Sequence, residues 1–106
     1  ELREKADTLC QILGQSAAGA EFAVLPVKRP VGGGSAPGQE LDSFAVSVLP
    51  ATMPVSVLEE RLRHADVPII ARIASGRLLF DISTLAAADF PYIVNQTAQL
   101  LKEQTP

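Results

Sequence analysis

Apolar residues recur at helical spacing in the opening segment. Leu2, Ala6, Leu9, Cys10 and Leu13 share one stripe, while Arg3, Lys5, Asp7 and Gln11 fall elsewhere on the wheel. The pattern predicts an amphipathic helix from Glu1 to Ser16. No capping residue precedes it, so its natural start is expected upstream, and residues 1–19 read as the end of an inter-domain helix. Beyond Ala17, Ala18 and Gly19, the branched and aromatic content of Phe22–Val27 predicts a strand, with Pro26 favouring a sheet edge. Ser43–Leu49 alternates Phe44, Val46 and Val48 against Ala45, Ser47 and Leu49, as in a strand with both faces at least partly covered. After Pro50 and Pro54, Ser56 and Glu59 have capping-box spacing ahead of Leu58, Leu62 and Ala65, predicting a short helix over Ser56–Ala65. Pro68–Ile73 and Arg77–Ile82, joined by Ala74-Ser75-Gly76, predict a β-hairpin. Phe90, Ile93, Val94, Thr97 and Leu101 then predict a helix from Asp89, with Pro91 in its first turn and Thr105-Pro106 ending it. The order α-β-β-α-β-β-α implies an α+β fold, a four-stranded, mostly antiparallel sheet with helices packed on one face.

Composition narrows the function classes. The 106 residues fit one domain with one core, and 47% hydrophobic against 20% charged residues excludes extensive disorder. A net charge of −3 argues against stand-alone binding of nucleic acid, which draws its affinity from neutralised phosphates. The single cysteine, Cys10, can form neither an internal disulfide nor a cysteine metal cluster, which suits a reducing cytoplasm. The apolar stretches are all broken before about 18 residues, and no export signal opens the chain, so no membrane association is expected.

Few residues suggest chemistry. Between the first two strands, VGGGSAPG (Val31–Gly38) holds four glycines in eight positions. Such a stretch lets backbone amides approach a phosphate or carboxylate, although it matches no P-loop or dinucleotide fingerprint and serves equally as a flexible connection. Arg72 and Arg77 flank the hairpin turn, where a guanidinium on a rigid strand can grip an oxyanion through two parallel hydrogen bonds. Arg72 could instead pair with Asp81 across the hairpin. Lys28 and Arg29 would add positive potential beside the glycine stretch, or simply be solvated. His64, the only histidine, lies near the end of the middle helix without a catalytic partner. Glu59, Glu60, Asp66, Asp81 and Asp89 have no cation-ligand spacing, and no metal site is expected.

Together, VGGGSAPGQELDSFAVSV (Val31–Val48) and VPIIARIASGRLLFDISTL (Val67–Leu85) resemble the C-terminal part of the bacterial L-seryl-tRNA(Sec) selenium transferases, the selenocysteine synthases. The resemblance runs through nearly the whole chain and is most specific in the GGGS-x-P loop and the PxIxRI…GRLxxD hairpin. It departs at Ala71 and Ser83, where members of that family usually carry Gly and Arg. What it implies is the small C-terminal domain of a fold type I, pyridoxal-phosphate-dependent transferase that converts seryl-tRNA(Sec) with selenophosphate. The cofactor lysine would lie in a large N-terminal domain of the same polypeptide. None of Lys5, Lys28 and Lys102 has the buried strand-to-loop setting such a lysine needs, so the 106 residues alone are expected to bind no cofactor, to hold no catalytic residue and to be inactive. Gly32, Gly33, Gly34, Ser35, Arg72 and Arg77 would face the substrate. A homo-oligomeric parent acting on tRNA(Sec) is implied, with weak or no tRNA binding by this piece. Three other readings stay open: a self-contained α+β ligand-binding or regulatory module, a pyridoxal-phosphate lyase acting on a small amino acid, and a tRNA-contacting appendage using Arg61, Arg63, Lys28 and Arg29.

Overall fold

The computed structural model describes residues 2–30 and 40–103, so the predicted glycine loop and the Thr105-Pro106 stop lie outside the described residues. The elements run α1 (Leu2–Ser16), β1 (Ala20–Pro30), β2 (Glu40–Pro50), α2 (Val55–Arg63), β3 (Arg72–Ala74), β4 (Arg77–Asp81) and α3 (Phe90–Lys102). Two 3-10 turns, Ile82–Thr84 and Ala87–Asp89, join β4 to α3. All strand pairs are antiparallel, in the spatial order β1-β2-β4-β3, so the α+β architecture read from the sequence is the one observed. Pro26 sits in β1, an edge strand, where a missing backbone donor costs no ladder bond to a further strand.

The strands divide their side chains between two unlike faces. Val46 and Val48 of β2 and Leu78 and Phe80 of β4 pack with Ala6, Leu9 and Leu13 of α1, Leu58 and Leu62 of α2, and Phe90, Ile93, Val94 and Leu101 of α3. Phe80, Leu9, Leu13, Leu58, Leu62 and Leu78 are fully buried, each stabilising the fold by on the order of 1.5–3 kcal/mol. The three helices thus share one face of the sheet, and no described element packs on the other.

Two local readings change. The predicted capping box is not formed. Pro54 is the N-cap of α2, extended at φ −61° and ψ 147°, and its carbonyl accepts from Val57 N–H at 3.1 Å and Leu58 N–H at 3.3 Å. The helix therefore begins ahead of Ser56, which falls within its first turn. The first hairpin arm is also shorter than predicted: β3 covers only Arg72–Ala74. β4 runs two residues beyond Leu79, the partner of Arg72, but the preceding arm is held by the helices instead: Ile69 N–H donates to the Leu62 carbonyl at 3.0 Å, and both backbone groups of Val67 bond the Tyr92 hydroxyl. Ile69 still reaches the core from this irregular stretch, at 5% exposure. The tip itself is a two-residue turn with Ser75 at φ 53° and Gly76 at φ 76°, the left-handed pair required by a type I′ turn.

Candidate functional site

The sheet face without helices is built from alternate strand positions. β1 contributes Ala23, Leu25 and Val27, opposite Ser47, Ala45 and Ser43 of β2. Ala45 and Ser47 in turn oppose Asp81 and Leu79 of β4, and Leu79 and Arg77 oppose Arg72 and Ala74 of β3. The register therefore brings Arg72 and Arg77 onto one face with Ser43, Ser47 and Asp81. The small side chains keep the middle of this face low, and Ser43, Ala45 and Ser47 are buried on the interior strand β2.

Its polar groups are held in place. Arg77 Nη1 donates to Ser47 Oγ at 3.1 Å, which orients the guanidinium along the sheet. Asp81 Oδ1 accepts from Ser43 Oγ at 3.0 Å, Ser83 N–H at 3.0 Å and Ser83 Oγ at 2.7 Å. Burial pushes the Asp81 carboxyl up, but the hydrogen bonds from Ser83 and Ser43, with the positive charge of Arg72, outweigh it and hold the group below the usual carboxylate range. Arg72 acts on Asp81 through its charge, the smallest of these effects, and remains exposed on β3. The cross-hairpin pairing considered for Arg72 is thus a minor influence on a carboxylate already committed to serines. Two guanidiniums on paired strands, one anchored and one open, form a surface suited to a carboxylate or phosphate.

The other candidates lie elsewhere. Gly32, Gly33, Gly34 and Ser35 fall outside the described residues, as does the side chain of Arg29. Lys28 is paired with Asp42 across β1 and β2. Arg63 Nε donates to Glu59 at 3.0 Å, and Arg61 lies 3.9 Å from Glu103, so Lys28, Arg61 and Arg63 of the residues considered for tRNA contact are individually matched by carboxylates. Lys5 Nζ donates to the Leu85 carbonyl, and Lys102 is exposed in the last turn of α3. His64 caps the C-terminus of α2 and is exposed. Cys10 is half-buried on α1, and burial and the nearby Asp7 charge push its thiol up, away from the reactive thiolate. Among the described residues no three His, Cys, Asp or Glu side chains are grouped to hold a metal, and no helix is long and apolar enough to cross a membrane.

The serines and Asp81 that build this face were not singled out in the sequence as site residues. Their signal was present: Ser43, Ala45 and Ser47 alternate with Phe44, Val46 and Val48, a small and polar set opposite a large and apolar one.

Comparison with known proteins gives consistent matches. The family described as "SelA: L-seryl-tRNA selenium transferase" matches residues 1–86. The L-seryl-tRNA(Sec) selenium transferase of Desulfomicrobium baculatum is 36% identical over 102 residues, covering 95% of this chain and 22% of that protein. Those of Aquifex aeolicus (strain VF5) and Clostridium botulinum (strain Hall) are 35% and 32% identical over 100 residues, each covering 94% of this chain and 22% of the relative. The chain therefore spans about a fifth of the length of the curated relatives it matches.

Proposed function

The chain belongs to the L-seryl-tRNA selenium transferase family, and from that membership we propose that it is the small C-terminal domain of a cytoplasmic, homo-oligomeric, pyridoxal-phosphate-dependent enzyme that converts seryl-tRNA(Sec) to selenocysteinyl-tRNA(Sec). The observation that carries the reading is the helix-free sheet face with Arg72 and Arg77 on it. In this reading the face closes on the large domain of the same polypeptide. Its Ala23, Leu25 and Val27 side packs against that domain, and the arginine side borders the substrate. There the anchored Arg77 and the open Arg72 bind and orient an anionic group of the substrate, and closure of the face excludes water from the reacting centre.

The fit of the cofactor to these residues is poor. Pyridoxal phosphate supplies an electron sink when joined to a lysine, and that lysine needs a buried, partner-poor amine. Lys5 is spent on the Leu85 carbonyl, Lys28 is paired with Asp42, and Lys102 is exposed. The cofactor lysine is accordingly assigned to the rest of the parent, and no step of the reaction is assigned to a residue of this chain beyond binding and orientation.

The test is selenium transfer to seryl-tRNA(Sec) by the full-length parent carrying Arg77→Ala or Arg72→Ala, with Arg63→Ala on the helix side as control. The expected result is a loss of about tenfold to a hundredfold in kcat/KM for either hairpin substitution, the scale of one lost charge-assisted contact, with the control unchanged. Full activity in both hairpin variants would remove the substrate-contact role.

A further inference from the structure

We infer that the apolar groove beside the first hairpin arm is the seat of the polypeptide that directly precedes Glu1 in the parent enzyme. This rests on the reading of the chain as a C-terminal domain. The groove holds about 390 Å³ and is walled by Val67, Pro68, Ile70, Leu85, Tyr92 and Ile93. Val67 and Ile70 are 63% and 65% exposed, the most open of the large hydrophobic residues described. Neighbouring exposed apolar side chains of this kind mark a surface that other polypeptide covers.

The groove is built rather than incidental. Tyr92 Oη accepts from the Val67 N–H at 2.9 Å and donates to the Val67 carbonyl at 3.0 Å, which satisfies both backbone groups of the rim and fixes it to α3. What remains for an occupant is mainly apolar, with Thr84 and Asp89 as the polar residues of the lining, an arrangement suited to the branched or aromatic side chains and the backbone of a peptide.

The position of α1 selects the occupant. Lys5 Nζ, in the first turn of α1, donates to the carbonyl of Leu85, which itself walls the groove. Leu2 lies three residues earlier, about 4.5 Å along a helix axis at 1.5 Å per residue, so a preceding segment would enter beside the groove. Such a segment has ample source, because the family relatives are matched over only 22% of their length. The closure entropy for a neighbouring segment of the same chain is also much smaller than the cost of recruiting a separate molecule.

The test uses Ile70→Cys in the full-length parent and in the 106-residue chain, both with Cys10→Ser, and compares the rates at which a small thiol reagent labels position 70. At least about tenfold slower labelling in the parent is expected, together with a photo-crosslink from position 70 to the polypeptide directly before Glu1. Equal rates would overturn the inference, as would a crosslink to another copy or to a distant region, or protection in the short chain that rises with its concentration. Ile70→Ser gives a second readout: it should lower the melting temperature of the parent and leave that of the short chain unchanged. Labelling of Leu25→Cys on the open sheet face separates the two ideas. Protection at 25 without protection at 70 removes the groove assignment alone, and protection at neither removes the domain reading as well.

Discussion

The hydroxyl of Thr97 is fully buried in α3 and has no hydrogen-bond partner, so folding strips water from it and returns nothing. Thr97→Val keeps the shape and removes the unmet group. It should raise stability by about 1 kcal/mol, seen as a melting temperature about 4–8 °C higher. Asp81 makes the opposite case. Its carboxyl is held below its ordinary 3.8, so the unfolded chain binds the proton more readily than the folded one. The resulting stabilisation is fully present above that ordinary value and is lost as pH falls through the lower folded value. Denaturant titrations between about pH 2 and pH 6 should show this loss, and Asp81→Asn should flatten that part of the profile. At this scale the sequence was legible where a side chain is rare or large. Arg72 and Arg77 stood out by charge and position, and the register places them on one face. Asp81 was read only as a partner for Arg72, because a serine–carboxylate network assembled from β2, β4 and the turn after it has no linear spacing to read.

The elements carry their own tests, clearest at two glycines. Gly19 turns the end of α1 into β1 at φ 92°, where a Cβ would lie 3.1 Å from Thr52 Cγ2 and 3.5 Å from the Leu101 carbonyl oxygen. Gly19→Ala should therefore cost about 1–3 kcal/mol, the range for backbone strain of this kind. Gly14 lies inside α1, where an added Cβ would meet nothing within 4 Å, so Gly14→Ala should instead stabilise the helix by about 0.8–1.0 kcal/mol. Chemical denaturation of the two variants should move in opposite directions. The long elements were readable because their periodicity survives folding: α1, β2 and α3 lie close to where their apolar stripes put them. The short ones were not. The start of α2 was decided by the carbonyl of Pro54 rather than by the Ser56–Glu59 spacing, and that of β3 by backbone bonds that tie Val67 and Ile69 to the helices.

For the whole molecule, the sheet has one face covered by three helices and one left to arginines, serines and small apolar side chains. A chain whose three lysines are engaged or exposed should give no saturable change in cofactor absorption when titrated with pyridoxal phosphate. A saturable change abolished by Lys5→Ala would move the chemistry into these residues. What covers the open face was beyond reading from periodicity, because alternation reports that a face is partly buried without reporting by which polypeptide. The decisive measurement is the rate of thiol labelling at Leu25→Cys, on the β1 side of the open face, compared between the full-length parent and the 106-residue chain, both with Cys10→Ser. Labelling at least about tenfold slower in the parent is predicted, since the face would be closed there against the rest of the enzyme. Equal rates in the two would contradict the account.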